Sequence, residues 1–143
     1  MTLDKYYTPE IEEFFHGFEY EVWENSAYTN ESWIKKIFQF RDNNVYKDTS
    51  FIIAEFEQRG DDIRVKYLDK EDIESLGFKY QKHNTYYKNL TDKILLRLEA
   101  LENNILLIEY FINGNNTLNC IINIKNKSEL KKLMKQLNIY DIR

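Results

Sequence analysis

The strongest constraint on the fold is a pair of apolar segments, ILLIEYFI (105–112) and TLNCIINI (117–124), which flank the tetrapeptide NGNN. Asn-Gly is the preferred centre of a tight hairpin turn because both residues tolerate a positive φ angle. The first segment is apolar on both faces, which is typical of a strand inside a sheet. The sequence therefore predicts an antiparallel hairpin in which residues 105–112 form a central strand.

Alternating apolar and polar residues predict further strands. In residues 18–24, Phe18, Tyr20 and Val22 alternate with Glu19, Glu21 and Trp23. Three more strands are predicted at residues 33–40, 63–68 and 78–83, and the first of these forms a hairpin with 18–24 across a polar turn. Residues 92–102 fit both the helical and the strand period, so both interpretations stay open.

Helices are predicted at the C-terminal end and in the connections. Asn126 is a good N-cap with Glu129 three residues later, and the helix that follows has one apolar stripe: Leu130, Leu133, Met134 and Leu137. Another helix is predicted at residues 8–17, with Thr8 as N-cap. Residues 50–60 are ambiguous between helix and strand, and a helix is favoured there. Together these elements predict one α+β domain over residues 1–143. Its mainly antiparallel sheet has five to seven strands, with the amphipathic C-terminal helix on one face and short connecting helices.

Four carboxylates crowd one short segment of the chain: Asp69, Glu71, Asp72 and Glu74. Such a cluster suggests a metal or acid/base site, but helix-start rules explain it as well. With Asp69 as N-cap, Asp72 lies where its carboxylate can bond back to the amide of the cap residue. The apolar residues Leu68 and Ile73 then pack as a hydrophobic staple. We interpret the cluster as the start of a short helix that ends at Gly77.

Composition excludes several classes of protein. The chain has 143 residues and one cysteine, so an intrachain disulfide is impossible and a reducing cytoplasm is expected. The apolar runs are too short to span a membrane, and the first residues lack the pattern of a signal peptide. The net charge of −4 argues against a general nucleic-acid coat. Cys120 is expected to be a small buried apolar residue in a strand.

No catalytic motif is found, so a protein without enzymatic activity, cofactor or metal is expected. The sequence lacks a nucleophile elbow, a phosphate-binding loop and a dinucleotide fingerprint. Tyr86 and Tyr87 lie in the polar segment HNTYYKN, which is interpreted as a connector, and exposed tyrosines are common at binding surfaces. Basic residues on the last helix offer a second contact surface. The candidate partner-binding residues are Tyr86, Tyr87, Lys131, Lys132 and Lys135.

Three blocks of the sequence, YYTPEIEEF (6–14), IRVKYLDKEDIESLGF (63–78) and IKNKSELKKLMKQLNI (124–139), carry a resemblance. In order and spacing they resemble a group of small uncharacterised proteins from phages, prophages and mobile elements of AT-rich Gram-negative bacteria. No catalytic residues come with the resemblance. It implies a small cytoplasmic protein in the host cell that binds a host or phage protein. A host defence nuclease or its RNA complex is one such target, as for an anti-CRISPR inhibitor.

Two other functions remain open. The first is an accessory protein that binds RNA through Tyr86, Tyr87 and the lysines of the last helix. The second is a metal-dependent hydrolase with an unrecognised site among the acids of residues 69–74.

Overall fold

The computed structural model of the protein describes residues 5–26, 29–39, 54, 57, 62–102 and 104–137. The chain divides into two units, Met1–Tyr67 and Leu68–Arg143, and each has its own sheet and its own apolar core. The expectation of a single domain over residues 1–143 stays a prediction. The helix expected at 50–60 lies outside the described residues apart from positions 54 and 57.

The first unit is built on a four-stranded antiparallel sheet. Its elements are β1 (Tyr6–Tyr7), a 3₁₀ helix (Ile11–Glu13), β2 (Glu19–Ser26), β3 (Thr29–Ile37) and β4 (Ile63–Lys66), and the strand order is β1-β4-β2-β3. The expected hairpin of β2 and β3 is confirmed, with Glu19 opposite Ile37 and Trp23 opposite Trp33. The buried core consists of Phe18, Tyr20, Val22, Phe38, Ile63 and Val65.

The helix expected at residues 8–17 is wrong in length and in its cap. Only Ile11–Glu13 is helical, and Glu10 is the N-cap, bonded through the Glu13 carboxylate. The reason lies in the residues that follow, because the Phe14 ring packs against Phe18 at 4.7 Å between ring centroids and against Tyr20 at 5.0 Å. These contacts require an extended backbone at Phe14, so tertiary packing overrides the local helix signals.

The second unit is a five-stranded antiparallel meander with two helices. Its elements are α1 (Lys70–Ser75), β5 (Lys79–Lys82), β6 (Thr85–Asn89), β7 (Ile94–Ala100), β8 (Ile105–Ile112), β9 (Asn115–Asn123) and α2 (Lys127–Gln136), and every strand pairs with the next in sequence. Ile73 of α1 and Leu130 and Met134 of α2 belong to the same buried core as Leu96, Leu98, Leu106 and Ile108 of the sheet.

The central hairpin prediction is confirmed. Asn113 and Gly114 both have positive φ, 51° and 79°, as a primed two-residue turn requires. β8 lies between β7 and β9, so it is an interior strand as expected. The ambiguous segment 92–102 contains strand β7, in which Leu96 and Leu98 are buried and Arg97 between them is not. Because this segment pairs with β6 on one side and with β8 on the other, it forms a strand and not a helix.

The connector expected at residues 83–89 is wrong, because most of it is strand β6. His83 and Asn84 make the turn that precedes it, with φ of 50° and 59°. This pair adopts the conformation that Asn-Gly marks elsewhere, but His-Asn is a much weaker sequence signal for it. The sequence around His83 and Asn84 therefore does not predict the hairpin of β5 and β6.

The fold class is confirmed at the level of α+β with antiparallel sheets and a C-terminal helix. The arrangement differs from the expectation in one respect, since the strands form sheets of four and five strands and not one sheet of five to seven. In the described part of the chain, no helix has the length and hydropathy that crossing a bilayer demands.

Both helix starts use the caps expected from the sequence. The Asp72 amide donates to Asp69 Oδ1 at 2.9 Å, and the Asp69 amide donates to Asp72 Oδ2 at 3.4 Å. At α2, the Glu129 amide donates to Asn126 Oδ1 at 2.9 Å. The Glu129 carboxylate accepts from the Lys125 amide at 2.6 Å, one residue before the expected cap position. The interpretation of the acidic cluster as a helix start is thus confirmed.

Asp69→Ala should destabilise the protein by about 0.5–2 kcal/mol because the helix loses its cap acceptor. Asp69→Asn keeps a cap acceptor and should stay within about 0.5 kcal/mol of the wild type. Urea denaturation followed by circular dichroism measures both changes. Equal destabilisation by the two substitutions would contradict the capping role. It would indicate that the negative charge of Asp69, and not its cap hydrogen bond, stabilises the protein.

Candidate functional site

Three aromatic side chains and one arginine lie together on the four-stranded sheet. Along β2, Glu19, Glu21 and Trp23 alternate with the buried Tyr20 and Val22, so they lie on the face opposite the core. Directly opposed residues of antiparallel strands share a face. The pairs Glu21–Arg64, Trp23–Trp33 and Tyr6–Lys66 therefore extend this face over all four strands. We call Tyr6, Trp23, Trp33 and Arg64 the aromatic face.

Arg64 joins the aromatic face through its guanidinium group. The guanidinium carbon lies 3.6 Å from the centroid of the Tyr6 ring and 4.0 Å from that of Trp33. Arg64 Nη2 lies 3.4 Å from Glu21 Oε1. A planar cation over an aromatic ring is worth about 0.5–1 kcal/mol at an exposed site and about 2 kcal/mol when desolvated. These contacts hold the arginine and both rings in one arrangement before any partner arrives.

The two tryptophans of the chain form a cross-strand pair on this face. Their ring centroids are 5.5 Å apart with an interplanar angle of 64°, an edge-to-face geometry. Both rings are half-buried, as are Tyr6 and Arg64. Cross-strand aromatic pairs stabilise a sheet in any protein. Here they also present rigid contact area of the residue types that dominate binding hot spots, which are tryptophan, tyrosine and arginine.

Charges of both signs surround the aromatic face. Glu21 lies opposite Lys35 on one side and Arg64 on the other, and Glu19 and Lys66 lie on the same side of the sheet. A surface that binds a polyanion gains its affinity from a run of cations, which this mixed pattern does not provide. The arrangement fits the polar rim of a protein interface better.

Sequence alternation alone places Trp23 on the exposed side of its strand, so the position of this residue can be predicted from the sequence. The two-residue strand β1, which carries Tyr6, is too short to give a periodic signal. The contact of Arg64 with Trp33 spans strands far apart in sequence and was not foreseen.

The predicted tyrosines occupy opposite faces of β6. Tyr86 belongs to the core of the second unit and is 5% exposed, whereas Tyr87 is half-buried on the other face. The two rings therefore do not form one surface patch. Burial raises the pKa of the Tyr86 hydroxyl, and the nearby Tyr80, Glu74 and Asp69 raise it further.

The predicted lysines, Lys131, Lys132 and Lys135, are exposed on α2, away from the buried Leu130 and Met134. The basic side expected for this helix is present. The partner-binding role of these lysines and of Tyr86 and Tyr87 stays a prediction.

Three of the four carboxylates in the acidic cluster take part in local structure. Asp69 and Asp72 cap α1, and Lys70 Nζ lies 3.7 Å from Glu74 Oε1. Among the described residues, no group of three or more histidine, cysteine or carboxylate side chains is arranged to hold a metal ion. The expected burial of Cys120 is wrong, because β9 is the edge strand of its sheet and leaves the thiol exposed.

An open depression of about 630 Å³ lies at one end of the five-stranded sheet, lined by Asn84, Ala100, Leu101, Glu102 and Ile105. Among these lining residues, Glu102 is the one carboxylate, and no nucleophilic side chain lies beside a base.

A scan against protein-family models, a search of curated proteins and a search of solved structures each find no match to this chain.

The raised pKa of Tyr86 predicts a loss of stability in alkali. The neutral hydroxyl is favoured in the folded state, so its contribution is complete below the ordinary pKa of 10.0 and disappears as pH rises through the folded pKa. Unfolding free energies measured from neutral pH to beyond 10.0 should fall more steeply in the wild type than in Tyr86→Phe. Tyr87→Phe, the neighbour on the opposite face, should retain the wild-type fall. Identical profiles for Tyr86→Phe and wild type would refute the assignment.

Proposed function

We propose that the protein is a non-catalytic binding protein whose aromatic face docks on another protein. The observation that carries the proposal is the joint presence of Tyr6, Trp23, Trp33 and Arg64 on one sheet face. Tyr6 and Trp33 contact the arginine at 3.6 and 4.0 Å, and Trp23 packs against Trp33 at 5.5 Å. Hot spots of protein interfaces are enriched in these three residue types and tend to lie in well-packed clusters.

The preformed contacts of the face support this function energetically. Ordering a flexible side chain on binding costs about 0.5–1.5 kcal/mol, and an arginine already stacked on two rings avoids most of that cost. Aromatic rings add large contact area with few rotatable bonds. The mixed charges around the face supply a rim that selects for a complementary partner and not for any polyanion.

The resemblance to phage proteins nominates a host defence nuclease, or its complex with RNA, as the first partner to test. This choice rests on that resemblance, whereas the choice of the docking face rests on geometry. An experiment can therefore contradict the nuclease as the partner without contradicting the aromatic face as the docking surface, and the reverse.

The test compares tagged wild-type protein with a Trp33→Ala variant as baits in host lysate, with and without nuclease treatment. A protein partner that survives nuclease treatment, is recovered by the wild type and is lost with Trp33→Ala supports the proposal. Leu101→Ala is the matched control, because Leu101 is an exposed apolar residue (41%) of the other sheet unit. It should recover the partner as well as the wild type does.

With the purified partner, Trp33→Ala should weaken binding by about 2 kcal/mol or more, which is roughly thirtyfold. Trp23→Phe keeps an aromatic ring and tests the same face with less structural loss. Circular dichroism must first show that each variant is folded. Both tryptophans lie on the face, so the intrinsic fluorescence of the wild type should change when the partner binds. Unaltered affinity of both variants would contradict the proposal.

An RNA-binding function is the alternative, because aromatic rings beside an arginine on an antiparallel sheet also suit base stacking. It predicts recovery that vanishes with nuclease treatment and affinity that falls steeply as salt rises. That result would replace the protein-docking proposal.

A further inference from the structure

The outer edges of the two sheets differ in how well they are protected. An edge strand exposes unpaired N–H and C=O groups, and proteins blunt such edges with short strands, charged side chains or bulges. β1 has two residues, β3 carries Lys35 and Lys36, and β5 has four residues that include Lys79 and Lys82. β9 has nine residues, NNTLNCIIN, with neither a charged residue nor a proline. Of the edge strands that the structure describes, β9 is therefore the least protected, because its one irregularity, at Thr117, leaves Leu118–Asn123 regular.

The regular part of β9 is exposed. A register shift at Tyr110/Phe111 leaves Thr117 as the extra residue of β9, so regular pairing with β8 covers Leu118–Asn123. Within it Leu118 is 42% and Ile121 68% exposed, and only Ile122 is half-buried. Among the described residues, no strand pairs along the outer side of β9. Leu118–Asn123 carries no charge and no proline, and Ile121 and Ile122 have high strand propensity, which are features of a segment that recruits another strand.

The hydrogen-bond pattern shows which groups face outward. The Ile124 amide donates to the Asn104 carbonyl oxygen at 2.8 Å, so the backbone of Ile124 and of alternate residues before it faces β8. The backbone N–H and C=O groups of Asn119, Ile121 and Asn123 then face away from the sheet. These three residues form the free edge.

The segment is self-complementary about Ile121. Asn119 and Asn123 stand two residues before and after it, and Cys120 and Ile122 stand directly on either side. When two copies run antiparallel with their Ile121 residues opposed, the outward-facing residues pair with one another. Asparagine then meets asparagine and apolar meets apolar. Each outward-facing pair exchanges two main-chain hydrogen bonds, about six in all.

We propose that β9 is a homodimer interface, in which Asn119–Asn123 pairs antiparallel with the same segment of a second copy. A second copy is the favoured occupant because Asn119–Asn123 is self-complementary and uncharged, so two copies can pair along this edge without opposed like charges. The pairing joins two five-stranded sheets into one continuous sheet and removes the open edge of both. This inference is independent of the aromatic face.

The first experiment measures molecular mass against concentration by analytical ultracentrifugation. The wild type should form dimers, and Ile121→Lys should weaken the dimer by about tenfold or more, because two lysines would then face each other. Ile37→Lys is the matched control, since Ile37 is also exposed (54%) and lies on β3. It should dimerise as the wild type does. Ile121 is exposed, so its replacement leaves the core intact.

The second experiment uses Cys120, the only cysteine of the chain. In the proposed pairing the two Cys120 residues are diagonal neighbours on one sheet face, about 7–8 Å apart. A short bifunctional maleimide should therefore give a covalent dimer, and Ile121→Lys should suppress it. A wild type that stays monomeric at every concentration overturns the proposal. A dimer that is unaffected by Ile121→Lys, or that gives no crosslink, also overturns it.

Discussion

Alternate side chains of a β-strand point to opposite faces of its sheet, and both units of this protein depend on that constraint. In the first unit it sends Tyr20 and Val22 into the core and leaves Trp23 on the other side. In the second it buries Leu96 and Leu98 while Arg97 between them is less buried. The cores and the candidate binding surface are therefore two consequences of one backbone geometry. A shift of register by one residue would exchange them.

Polar groups that attract attention in the sequence serve mainly to start and stop helices. The carboxylates of Asp69 and Asp72 satisfy amides at the first turn of α1. At the other end, Lys88 Nζ donates to the Leu76 carbonyl oxygen at 2.9 Å, although Lys88 is only 8% exposed. A buried lysine is tolerated where the negative end of a helix meets its charge. Capping accounts for Asp69 and Asp72 of the acidic cluster, and the helix end explains a charged residue on the core side of β6.

The two surfaces proposed for binding use different parts of the chain's chemistry. The aromatic face presents side chains, held by stacking around Arg64, and suits a partner with a complementary patch. The edge of β9 presents backbone groups, and suits another strand. Side-chain recognition is specific to a partner's shape, whereas backbone pairing needs only an extended segment. The self-complementary order of Asn119–Asn123 favours a copy of the same chain as the partner at the second surface.

The sequence by itself determined the local features: the hairpin turn at Asn113–Gly114, the caps at Asp69 and Asn126, and the alternation that places Trp23 outward. These depend on residues within a few positions of one another. Tertiary structure decided the rest. Pairing on both sides made residues 94–100 a strand, packing of Phe14 shortened the first helix, and β6 replaced a connector and took Tyr86 into the core. The stacking of Arg64 on Tyr6 and Trp33 and the edge position of β9 also depend on which strands become neighbours. That choice is made by burial and hydrogen bonding over the whole sheet, and no local pattern encodes it.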